Sequence, residues 1–112
     1  MVLQMAKLIE VWKWQAAPTV NPNDIKTDVR ALRDILLSHG ATWVSLYSGS
    51  YGDDDRSWIV TIEHASSEAW GKYHDKQREW QATPEAQKMF SSLKVNPPIS
   101  WVGTGLLVEE TI

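Results

Sequence analysis

Two hydrophobic periods alternate along this chain, and each change of period marks a change of element. Lys7 to Trp14 (KLIEVWKW) is rich in β-branched and aromatic residues, with apolar side chains at both parities, which predicts a strand. Gln15 to Asn21 contains Pro18 and predicts a loop. Ile25, Val29, Leu32 and Leu36 then recur at i, i+4, i+7 and i+11, while Asp28, Arg30, Arg33 and Asp34 fall off that stripe, so an amphipathic helix follows. Asn21 before Pro22, or Asn23 before Asp24, supplies its N-cap, and His39-Gly40 ends it with Gly40 at C′. Ala41 to Ser48 and Trp58 to His64 return to the strand pattern, joined by a polar hairpin loop from Gly49 to Ser57. Ser66 or Ser67 caps a second helix whose Ala69, Trp70, Tyr73, Gln77 and Trp80 share one side. Thr83-Pro84-Glu85 starts a short third helix striped by Ala86, Met89, Phe90 and Leu93. Asn96-Pro97-Pro98 stops it, and Ile99 to Val108 predicts the last strand.

The order β-α-β-β-α-α-β in a chain of this length predicts an α+β, ferredoxin-like domain covering residues 1–112, with a four-stranded, mainly antiparallel sheet and helices on one face. The face away from the helices is expected to be polar if it meets water. Instead both parities carry apolar groups: Ile9 and Val11 against Leu8, Trp12 and Trp14; Trp43 and Tyr47 against Val44 and Leu46; Ile59 against Trp58, Val60 and Ile62. A second copy of the sheet is the economical cover, which predicts a homodimer.

The element order, the doubly apolar strands and the module Trp80-Gln81-Ala82-Thr83-Pro84-Glu85-Ala86 resemble the dimeric α/β-barrel superfamily, from about Lys7 to Val108. Its small members include antibiotic-biosynthesis-type monooxygenases, polyketide cyclases, haem-degrading monooxygenases, and EthD-like and NIPSNAP-like proteins. The resemblance implies two sheets closing face to face in a dimer, and a ligand cleft in each subunit between sheet and helices. It also implies a cofactor-independent enzyme of the monooxygenase or cyclase kind. Haem-degrading members carry a His ten residues after the Trp that Trp80 matches, and an Asn on the first strand; here the first position is Phe90 and Lys7 to Trp14 has no Asn. Cyclase members carry a His just after the Pro that Pro84 matches, where this chain has Glu85-Ala86-Gln87. The other reading is a non-catalytic ligand-binding or interaction domain that has lost the superfamily's His.

Composition sharpens the expectation at one point. The chain has seven Trp and one Phe, and seven indoles in a small domain must lie partly at an interface or around a cavity. Net charge of −3 argues against a nucleic-acid partner. Absence of Cys removes thiol chemistry and cysteine-ligated metals. No apolar run approaches the ~18 residues of a membrane span, and the start lacks a basic segment ahead of an apolar one, so a cytoplasmic protein is expected.

Proton transfer near neutrality falls to the three His. His39 reads as a helix cap. His64 closes the third strand, either as a polar group at the cleft mouth or as a strand-end residue touching the next helix cap. His74 lies at the edge of the second helix's inward arc and is the favoured proton carrier, with Tyr73 and His64 as the other catalytic candidates. The ligand walls are assigned to Trp12, Trp58, Trp70, Gln77, Trp80 and Phe90, an apolar pocket with few polar anchors. Glu10, facing Trp12 and Trp14, is either a desolvated base or, more in keeping with buried carboxylates, the partner of a Lys or Arg. Asp53-Asp54-Asp55 reads as a solvated hairpin tip. No metal-ligand spacing and no cofactor motif is present.

Overall fold

In the computed structural model, which describes residues 6–16, 19–49, 57–94 and 99–110, the chain forms seven elements in the expected order. These are β1 (Leu8–Ala16), α1 (Pro22–Ser38), β2 (Trp43–Ser48), β3 (Ser57–His64), α2 (Ser67–Gln81), α3 (Pro84–Ser92) and β4 (Ile99–Val108). The strands make one sheet in the order β2-β3-β1-β4, with each neighbouring pair antiparallel. This is the ferredoxin-like α+β arrangement. The Asp53–Asp55 run, Pro18 and the Asn96-Pro97-Pro98 stop lie outside the described residues.

Side-chain oxygens define each helix start. Asn21 accepts from the Asn23 amide, Ser66 from the Ala69 amide and Thr83 from the Ala86 amide, each satisfying an N–H that the first helical turn leaves bare. The first of these settles the choice between Asn21 and Asn23. At the far end of α1, Gly40 takes φ of 116°, a conformation that a side chain disfavours, and lets the chain turn into β2.

The register places the residues in rows across the sheet. Leu8, Glu10, Trp12, Trp14, Val44, Leu46, Val60, Ile62 and His64 share the helix-covered face. Leu36, Ala41, Val44, Val60, Ile62 and Tyr73 form the buried core there, with Trp12, Trp14, Val29, Leu37, Leu46 and Trp70 packed around it. Three rows of the opposite face run across all four strands: Trp43–Glu63–Ile9–Leu107, Ser45–Thr61–Val11–Gly105 and Tyr47–Ile59–Lys13–Gly103. No described helix lies on it, and Trp43, Tyr47 and Leu107 are each more than half exposed. The face is less uniformly apolar than the sequence suggests, since Glu63 sits on it and pairs with Lys7 at 2.7 Å. A single-sided slab results, 54 × 39 × 19 Å, with a radius of gyration of 15.2 Å. A closed sphere of this size would come nearer about 13 Å.

The turn that follows α3 is tied to α1. The buried Asp28 of α1 accepts the Lys94 backbone N–H at both carboxylate oxygens, at 3.0 and 2.9 Å. Off the α1 stripe in the sequence pattern, Asp28 is buried because this backbone donor meets it.

Candidate active site

The polar centre of the helix-covered face is built on Glu10. Antiparallel pairing sets Glu10 opposite Ile62, so His64, two residues further along β3, is its diagonal neighbour on the same face. Glu10 Oε1 accepts from His64 Nε2 at 3.1 Å and from Trp70 Nε1 at 3.3 Å. Its Oε2 accepts from Trp12 Nε1 at 2.6 Å, two residues along the same strand. One carboxylate thus gathers three ring N–H donors from β1, β3 and α2. Helix α2 reaches the site because Ser66 fixes its start, after which Trp70, Tyr73 and Gln77 recur on its inward side. The Tyr73 ring packs on the His64 ring with centroids 4.5 Å apart.

With the carboxylate of Glu10 as the acceptor, the proton of the Glu10–His64 contact sits on His64 Nε2. In the neutral imidazole, Nδ1 is then the bare lone pair. Nδ1 is fully buried and has no hydrogen-bond partner, and the Tyr73 hydroxyl is in the same state. Burial first, and the Glu10 charge second, push the Tyr73 phenol well above its ordinary value of 10.0, which keeps it neutral and able to donate. Buried polar atoms without partners are uncommon and each needs a physical account. Ser57 Oγ is a third, at the opposite end of β3.

Removing the orphaned hydroxyl tests this geometry. Tyr73→Phe is expected to leave stability at neutral pH unchanged or raise it by up to about 1 kcal/mol, because no hydrogen bond is lost. The phenol's raised value gives a definite sign at high pH. Its stabilisation is complete below the unfolded value near 10.0 and is lost as pH climbs toward the folded value. The variant should therefore lose less stability above pH 10 than the parent in urea titrations; parallel alkaline losses would contradict it.

The other expected site residues separate into distinct places. His74 is exposed and stacks on Trp70, with centroids 5.2 Å apart and planes 22° apart. It therefore contacts the site through the indole and does not reach Glu10. Gln77 is buried and joins the His39 ring at Nδ1. His39 also packs edge-on against Trp80 at 5.8 Å, and Trp80 meets Phe90 at 5.6 Å, so these four make a second cluster further up α2. Trp58 is opposite Trp14 in register, six residues from His64 along β3, which is about 20 Å. The structure thus brings together His64, Tyr73, Trp12 and Trp70 from the expected set and leaves Trp58, Gln77, Trp80 and Phe90 outside.

Glu10 is the residue that the expected set lacked. Its partners are a His and two indoles, where a Lys or Arg was expected. Its parity with His64 across neighbouring strands was the available signal, and using it required the β1–β3 register. His39 does cap α1, its backbone N–H meeting the Ile35 and Leu36 carbonyls, but its ring goes to Gln77. Among the described residues no cluster of His, Asp and Glu could hold a metal ion.

The Glu10 side chain is 17% exposed, so the cluster meets solvent at the carboxylate while His64 and Tyr73 are sealed. On the neighbouring strand β4, Leu106 and Val108 stand opposite Glu10 and Leu8 in register and are 41% and 51% exposed. The helices do not extend over them.

No family model matches the sequence, and no curated relative matches it either. Solved structures do. A dimeric ferredoxin-like protein from an uncultured marine organism superposes with a TM-score of 0.61 at 9% identity, covering 96% of this chain and 98% of its own. The chain has the dimeric ferredoxin-like proteins' fold. A variant of SnoaB, a cofactor-independent oxygenase from Streptomyces nogalater, gives 0.60 at 12% identity, with 95% of each chain covered. A NIPSNAP-like domain protein from Burkholderia xenovorans gives 0.61 at 9% identity, over 95% of this chain and 85% of its own. At these identities the ferredoxin-like likeness speaks for the fold alone. Among the described residues of this ferredoxin-like chain, no helix is long and apolar enough to cross a membrane.

Proposed function

We propose that this chain is a homodimeric small-molecule-binding protein that performs acid–base chemistry on an apolar or aromatic ligand beside the Glu10–His64–Tyr73 cluster, as a cofactor-independent oxygenase. The observation that carries the reading is the His64 ring, fixed through Nε2 by Glu10 while Nδ1 has no protein partner. Tyr73 covers that lone pair in the free chain, so ligand entry displaces the Tyr73 ring from His64. A positioned imidazole lone pair is then a general base, and the adjoining carboxylate favours the imidazolium that forms. Tyr73 supplies a neutral donor for the charge that develops on the substrate. The rings of Trp12 and Trp70 supply apolar surface, with His74 stacked outside Trp70.

An oxygenase without a cofactor must take its electrons from the substrate. His64 removes a proton from an acidic C–H of an electron-rich ring system, and the resulting anion reduces dioxygen. One oxygen atom stays on that carbon as a carbonyl and the other leaves as water, so a CH₂ and O₂ become C=O and H₂O. The likeness to SnoaB supports this reading at the level of the fold. The dimer is supported by the uncovered sheet face and by the dimeric description of structural neighbours.

Oxygen uptake with a panel of hydroxylated fused-ring aromatics tests the proposal. His64→Gln, which keeps a donor but is no base, should reduce turnover by at least about a hundredfold. Binding, read by Trp fluorescence, should change only a few-fold. Equal turnover would remove His64 from the chemistry. Saturable binding with no oxygen uptake by the parent protein would favour the non-catalytic ligand-binding reading.

A further inference from the structure

A cleft lies two strands away from Glu10, between α1 and the edge strand β2. Its walls are Lys26, Val29, Arg30 and Arg33 of the helix and Val44 and Leu46 of the strand, around a volume of about 150 Å³. A cavity of that volume lined by apolar groups holds one benzene ring. Here only the floor is apolar: Val44 belongs to the buried core, and Val29 and Leu46 pack against it. The rim is basic, because Lys26, Arg30 and Arg33 recur at i, i+4 and i+7 and so share one side of α1.

Three cations on one rim stand out in a chain of net charge −3. None has a carboxylate within ion-pair reach among the described residues, and the nearby Asp24 stands 4.0 Å from Lys94. Arg33 lies over the Trp43 ring, 6.0 Å from its centroid, which holds the guanidinium at the sheet's rim. Like charges along one helix face repel one another, and an anion placed between them relieves that repulsion.

We infer that this cleft binds a small amphipathic carboxylate about one aromatic ring in size, its ring on Val29, Val44 and Leu46 and its carboxylate between Lys26, Arg30 and Arg33. Planar guanidinium groups match a carboxylate's two oxygens, and the apolar floor selects against a fully hydrated anion. The site is separate from the Glu10 cluster and does not depend on its chemistry.

The test is an amide NMR titration of the whole protein with benzoate, benzamide and inorganic phosphate. Benzoate should give saturable shifts at the Val29, Val44 and Leu46 amides. Benzamide lacks the charge and phosphate lacks the ring, so each should bind about tenfold more weakly or worse. In Arg30→Gln/Arg33→Gln, whose side chains lie at the rim, benzoate affinity should fall by at least about tenfold. The rest of the spectrum should be preserved. Phosphate matching benzoate would mean that charge alone acts, and benzamide matching it would mean that the floor alone acts. Either result overturns the inference, as would benzoate shifts confined to Glu10, His64 and Trp70.

Discussion

Glu10→Ala should cost this fold about 2 to 4 kcal/mol, since a buried donor left without its acceptor costs about 1 to 3 kcal/mol and two half-buried donors lose theirs as well. Three ring N–H groups lose their acceptor at once. The His64 ring is fully buried and has no water to turn to, so its loss dominates. Trp12 and Trp70 are half-buried and recover part of their loss from solvent. Glu10→Gln keeps a carbonyl acceptor but adds an NH₂ facing N–H donors, so an intermediate loss is expected. Urea unfolding of the two variants beside His64→Leu/Glu10→Leu separates the terms. The double variant removes donor and acceptor together and should be much less damaged than Glu10→Ala. A Glu10→Ala loss below about 1 kcal/mol would mean that the cluster is solvated and is not the polar centre described.

The second large effect concerns the sheet face away from the helices. Tyr47 and Leu107 are 55% and 59% exposed and sit in different rows, so neither holds the single chain together. Tyr47→Glu/Leu107→Glu should therefore fold as a monomer. If two copies meet through this face, the substitutions bury uncompensated carboxylates and weaken association by at least about a hundredfold. The parent protein should elute at about twice the 12.7 kDa chain mass at micromolar concentration, and the double variant at the chain mass. A monomeric parent, or a variant that still dimerises, would show that the open face is not the interface.

Much of the architecture is visible in the sequence because its signals are local. The α1 stripe, the Ser66 and Thr83 caps and Gly40 each act within one turn of chain. The strands were legible too, with β1 running to Ala16 instead of Trp14 because Gln15 and Ala16 find partners on β3 and β4. The register of β4 on β1 shifts between Lys13 and Trp14, which strand periodicity alone does not announce.

The site was less legible because it depends on distant pairing. Glu10 and His64 are 54 positions apart, and only the register makes them diagonal neighbours. Helical periodicity favours His74 over His64 by placing it near the inward arc. That arc does not tell which residue the sheet meets, and Trp70 occupies the space between His74 and Glu10. Gln77, Trp80 and Phe90 share α2's inward side or α3's stripe, but they pack around His39, with Gln77 and Trp80 about two to three turns beyond Trp70, which meets the carboxylate. Helical spacing assigns a face, while the height along the helix decides which strand residue is met.

The most direct measurement is the ¹⁵N NMR spectrum of the His64 imidazole, recorded free and with a bound hydroxylated aromatic. The account predicts the Nε2–H tautomer in the free protein, with a slowly exchanging ring proton held by Glu10, and a ligand shift centred on Nδ1. An Nδ1–H tautomer, or a His64 ring unmoved at saturating ligand, would contradict it.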